Sequence, residues 1–272
     1  MIKIIRIFIM LSLLTLMSYF GYITYQHAKA YEHSTAQIAA ACDADGLASE
    51  KIDEFTAIIS LGLVKNESKL RLKNMKAAQE SSKHNAQRYL YYFMATLLVI
   101  VLLSFAYTLR EATMTLSFAT FIALLYGLMN PILMVTIHKK VEYLGDVILS
   151  FESKGIIGSI TKLFENGENA VAITILLFSV ILPLVKTLTL TVTLLFHRST
   201  WGHGLVKFFK QIGKWSMIDV FVVATFLVYL TSNSGGVSHA EIQVGLYFFL
   251  TYVILSMVTA IQTQKVLLRQ AQ

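Results

Sequence analysis

Ser179 to Leu190 reads SVILPLVKTLTL, inside an apolar run from Ala170 to Phe196. A run of that length crosses a bilayer as a helix, for which roughly 20 apolar residues suffice. Yet it carries Pro183, which has no N–H to donate, and Lys186, whose charge is expensive at bilayer depth. With Lys186 set at zero on a helix, Ser179 falls at about 20° and Thr193 at about −20°, because seven residues nearly close two turns. Thr189 flanks this line on one side and Pro183 on the other. The span therefore has one polar stripe centred on a lysine, and Pro183 leaves the carbonyl of Ser179 without its usual donor. Such a stripe faces a bundle interior or a wet cavity, where partners can satisfy it. The competing reading has Lys186 snorkel to the surface while the threonines serve only helix packing. That side chain would have to cover roughly 15 Å to the end of the run.

The rest of the chain agrees with a membrane reading. Of 272 residues, 56% are hydrophobic and 14% charged, against about 25% charged in soluble domains. The net charge of +7 does not indicate nucleic acid, which calls for a basic cluster on a soluble module. Six apolar spans stand out, at 5–25, 89–109, 115–137, 170–196, 217–232 and 243–263. Lys3, Arg6, Arg110, Arg198, Lys207, Lys210, Lys214, Lys265 and Arg269 gather on one side of them, against the single acid Glu111. The positive-inside rule then places both termini in the cytoplasm. Ala28-Lys29-Ala30 resembles a signal-peptide cleavage site, but the apolar region before it exceeds the 7–15 residues usual for a signal. Retention as an anchor is favoured; cleavage would leave five spans. Cys42 is the only cysteine, which excludes an intrachain disulfide and a cysteine-based zinc site.

Residues 26–88 are rich in good helix formers and predict a helical hairpin outside the membrane, broken around Asp43-Ala44-Asp45-Gly46. It serves either as a spacer or as a docking surface. His27, His33 and His84 lack metal-ligand spacing and read as solvated, so no metal or cofactor is expected. In the loop 197–215, Trp201, Leu205, Phe208, Ile212 and Trp215 share one helical face, opposite Lys207, Lys210 and Lys214. That pattern predicts an interfacial helix on anionic lipid, with Trp201, Phe208 and the three lysines in contact. Asp219 is the only acid within a span, and Asn130-Pro131 puts an amide beside a second break. Thr251, Thr259 and Gln262 share one side of the last span. No phosphate loop, His-Glu-x-x-His or nucleophile constellation occurs, so no enzyme is expected.

Two stretches, SVILPLVKTLTLTVTLLF and, after the basic loop, GKWSMIDVFVVATFLVYL, together resemble the membrane module of the paraquat-inducible protein A family. GSITKLFENGENAVAITILLFS fits the family's outer turn before the first of them. The resemblance covers about residues 115–265 and implies a bacterial inner-membrane protein that moves lipids with a periplasmic partner of mammalian-cell-entry (MCE) domains. It also implies that Ser179, Pro183 and Lys186 belong to a polar core, with Trp215 and Asp219 in the adjoining signature. To that core the reading of the spans adds Thr189 and Thr193 from the helical stripe, and Asn130 and Asp219 as polar groups within spans. Larger members carry two modules and cysteine-rich zinc ribbons; this chain has one module and no CxxC. The expected architecture is an all-α membrane protein in two parts: a transmembrane pair with its hairpin at 1–110 and a four-helix module at 111–272. A homo-oligomer is compatible with the hairpin. The rival function is a non-transporting scaffold or auxiliary subunit acting through helix packing.

Overall fold

The computed structural model describes residues 2–59, 64–141, 145–195 and 238–270. Helix α1 (Ile2–Ile59) and helix α2 (Val64–Ser104) form an antiparallel pair. From Met17 to Ile38 the buried positions of α1, namely Met17, Gly21, Thr24, Ala28, Tyr31, Thr35 and Ile38, follow one another at alternating steps of four and three. Ala86, Leu90, Phe93, Leu97, Ile100 and Ser104 do the same on α2. This is the seam of a two-stranded coiled coil, legible in the sequence as a repeat of small and apolar residues. Its register is fixed by the 2.7 Å bond from Gln79 Nε2 to Thr35 Oγ1 and by His27 stacked on Tyr89, ring centres 5.5 Å apart. His27 is thus half-buried against a ring and not simply solvated, whereas His33 and His84 are exposed. The expected break at Asp43-Ala44-Asp45-Gly46 does not occur, because α1 runs through it to Ile59. One glycine costs a helix only about 1 kcal/mol, which the good helix formers around it offset.

Helix α3 (Leu109–Met129) stands at the centre. Thr108 caps it, its side chain accepting from Glu111 N at 3.4 Å. Ala119, Ala123 and Gly127 recur every fourth residue along it, the small-residue stripe that lets helices close in. A Cβ on Gly127 would stand 3.0 Å from the backbone N of Phe249. Tyr126 reaches α1, its hydroxyl donating to Ser18 O at 2.8 Å and its ring filling the space beside Gly21.

The span expected at 115–137 ends at Met129. Pro131 pushes Asn130 out of the helical region (ψ 151°), and the chain continues as strand β1 (Pro131–Val141). β1 pairs antiparallel with β2 (Gly145–Gly155) and, on its other side, with β3 (Ser238–Ile242), in the order β2-β1-β3. The all-helical expectation therefore holds for the membrane part and misses a small sheet. PILMVTI (131–137) is an apolar run, and periodicity alone does not separate a short buried strand from a helix.

After β2 come α4 (Ile156–Glu165), α5 (Asn169–Ile175), a π-helical turn (Leu176–Ile181) and α6 (Leu182–Leu195). The last described helix is α7 (Val244–Gln270), antiparallel to α3. Among the described residues, five helical stretches are long and apolar enough to cross a membrane: Ile4–Ile38, Lys73–Ser104, Leu109–Met129, Asn169–Leu195 and Val244–Val266. The expected span at 217–232 lies outside the described residues. Both α6 and α7 run from the sheet end of the bundle to the other end, where α1 also starts. The hairpin and the sheet share one end, joined by the Lys83–Glu241 ion pair at 2.8 Å and by Tyr31 Oη donating to Glu241 Oε2 at 3.4 Å.

A buried polar seam as candidate functional site

The stripe on the fourth expected span is real in space. Ser179, Pro183, Lys186 and Thr193 are all buried, and Thr189 is half-buried. Lys186 is only 7% exposed, so its side chain does not run out along the lipid-facing surface. The π-helical turn precedes Pro183, and Leu182 N donates to Leu177 O, five residues back. A proline within a helix removes one i→i−4 bond. Here a widened turn absorbs that loss, with Ser179 buried inside it. π-turns of this kind gather at functional sites.

The hydroxyls of α6 have a common chemistry. Thr187, Thr189, Thr191 and Thr193 each donate to the carbonyl four residues back, at 2.6 to 2.9 Å. With their protons committed, they present only lone pairs to neighbours. Ser117 of α3 is therefore the donor in its 2.7 Å bond to Thr191. The same holds on α3 and α7, where Thr120 and Thr259 donate within their own helices and meet at 3.3 Å. Thr113 likewise donates within its helix, to Leu109 O at 2.6 Å, and its hydroxyl lies 3.4 Å from Gln262 Oε1. The seam between α3, α6 and α7 is thus rich in acceptors, which favours a donor-bearing group. Ser256 lies buried on α7 without a hydrogen bond to its Oγ among the described residues.

Ser117, Thr120 and Thr191 were not singled out from the sequence. The signal was present, since Thr113, Ser117 and Thr120 fall at i, i+4 and i+7 on one face of α3. Thr259 and Gln262, read as polar groups of the last span, do face α3; Thr251 is buried and donates to Tyr247 O at 2.7 Å. Asn130 is buried but closes α3 beside the sheet. By the antiparallel register set at Ser117 and Thr191, that is about 12 Å along the axis from the level of Lys186. Asp219, Trp215, Trp201, Phe208, Lys207, Lys210 and Lys214 lie outside the described residues. Among the described residues no group of three or more His, Cys, Asp or Glu is placed to hold a metal ion.

Fold and site together define a multi-pass helical membrane protein with a lysine buried on a helix face that also carries Ser179 and Thr193. Residues 110–271 match the family model of paraquat-inducible protein A, and the chain belongs to that family. No curated protein and no solved structure matches it. The family match begins at the first turn of α3 and does not include the α1–α2 hairpin.

Proposed function

We propose that this chain is an inner-membrane subunit of a lipid transport system, passing lipids to or from a periplasmic partner built of MCE domains, with both termini in the cytoplasm. The observation that carries the reading is the burial of Lys186, on a helix face with Ser179 and Thr193, in a family module. A buried cation is retained where it acts on something charged or polar, and the acceptor-rich seam suits a lipid headgroup. The test is lipid exchange between reconstituted membranes. Lys186→Met, close in size and uncharged, is expected to lower transfer at least tenfold while the protein remains folded. Transfer at the unaltered rate would end the idea.

The non-transporting alternative rests on the hairpin, which extends well beyond the family module. Purification from membranes in mild detergent separates the two readings. Co-purified lipid with an MCE-domain protein supports transport, and a channel or receptor without bound lipid supports a scaffold.

A further inference from the structure

Two buried amides where α3 ends and α7 begins each hold one atom that has no hydrogen bond among the described residues. Asn130 closes α3, its backbone N–H and its Nδ2 both donating to Tyr126 O, at 3.1 and 2.8 Å. The second bond settles the orientation of the amide. The atom left over is Oδ1, an acceptor, buried and without a hydrogen bond. Gln243 precedes α7, and its backbone N–H donates to Ile132 O at 2.9 Å. Its side chain is 6% exposed, and the unpartnered atom there is Nε2, a donor.

The fold holds these residues together. Leu133 pairs with Ile242 across the sheet. Two residues past Gln243, Gly245 lies so close to the end of α3 that an added Cβ would meet Asn130 O at 2.6 Å and Pro131 O at 2.5 Å.

The chemistry of the pair excludes most occupants. A cation would satisfy Asn130 Oδ1 but repel the hydrogens of Gln243 Nε2. An anion would do the reverse. One group both donates and accepts at a single atom, and that is a hydroxyl. We propose that Asn130 Oδ1 and Gln243 Nε2 form a binding site for one hydroxyl, which donates to the first and accepts from the second. Its source is either a buried water or the headgroup of a lipid. The occupant bridges the two helix–strand junctions at the sheet end of the bundle, and the site does not depend on the chain moving lipid.

Cryo-electron microscopy of the full chain in phospholipid nanodiscs, at a resolution that shows ordered water, reads the site directly. Density within hydrogen-bonding distance of both amides is expected; an isolated peak identifies water, and density continuous with an acyl chain identifies a lipid hydroxyl. Direct contact between the two amides, or no density between them, overturns the proposal. Thermal melting in detergent supplies a second measurement. If Asn130→Ala and Gln243→Ala remove the same bridge, the double variant should melt no more than about 1 °C below the weaker single one. Fully additive losses would rule out a shared occupant. Gln243→Glu, which keeps the shape and removes the donor, is expected to abolish the density as Gln243→Ala does.

Discussion

Gly245 and Gly158 differ in what surrounds them, although both lie within a turn or two of a helix start. A methyl group at Gly245 would stand 2.5 Å from Pro131 O and 2.8 Å from Pro131 C, all backbone atoms that cannot swing aside. At Gly158, on α4, nothing lies within 4 Å. Overpacking against backbone costs about 1–3 kcal/mol, while Gly→Ala within an open helix gains roughly 0.5–1 kcal/mol. Gly245→Ala is therefore expected to lower the melting temperature by several degrees, and Gly158→Ala to hold or raise it. Equal behaviour of the two would show that α7 does not press on the Asn130–Pro131 junction. Neither glycine stood out in the sequence, because a close approach depends on a partner far along the chain. Lys186 was different. Its stripe was legible from spacing alone, since Ser179, Lys186 and Thr193 repeat at seven and a helix aligns them whatever else the fold does. The partners across the helix seams, Ser117 against Thr191 and Thr120 against Thr259, needed the packing.

At the scale of elements, the hairpin shows how far periodicity carries. Steps of four and three place Met17, Thr24, Tyr31 and Ile38 on one seam, and composition correctly predicts two helices. Where α1 ends was not legible, because Asp43 to Gly46 resembles a break by residue type yet lies within the helix. Pro131 misled in the opposite sense. Inside an apolar run it reads as a kink, whereas here it ends α3 and starts a strand that pairs with the next segment, β2, and with β3 about 100 residues further on. The seam also holds a polar layer, Thr35 with Gln79, and Thr35 Oγ1 donates in turn to Tyr31 O at 2.7 Å. Polar layers in coiled coils fix register at a cost in stability. Thr35→Val combined with Gln79→Leu is thus expected to raise the melting temperature. Spin labels placed at Glu32 and on α2 should then give a broader distance distribution, as register loosens. A lower melting temperature with an unchanged distribution would mean that the layer contributes to stability instead.

For the whole molecule, the main question is where the bilayer sits on α1. The apolar stretch Ile4–Ile38 has 35 residues, about 52 Å of helix, against a hydrocarbon core of about 30 Å. Only part of it lies in lipid, and cation–tyrosine pairs mark which part. Arg6 lies 5.5 Å from the ring centre of Tyr107 at one end. At the other, Lys29 lies 6.0 Å from Tyr25, and Arg88 lies 5.7 Å from Tyr92. Tyrosines beside basic residues are the usual anchors of a membrane–water interface. From Arg6 to Tyr25 is about 28 Å along the helix, the thickness of the hydrocarbon layer. On that placement α1 leaves lipid near Lys29, although its sequence stays apolar enough to be counted within a span as far as Ile38. The hairpin beyond rises roughly 45 Å, from 1.5 Å per residue to Ile59. A cysteine at His33, with Cys42 replaced by serine, separates the two placements, since His33 is exposed and lies beyond the tyrosine belt yet inside the apolar stretch. In intact spheroplasts a membrane-impermeant maleimide is expected to label that cysteine fully and to leave one at Ser12 untouched. Labelling rests on the proposed orientation with cytoplasmic termini. Protection at both positions, with labelling of the His33 position once the cells are lysed, would reverse that orientation. Protection after lysis as well would sink the hairpin deeper into lipid.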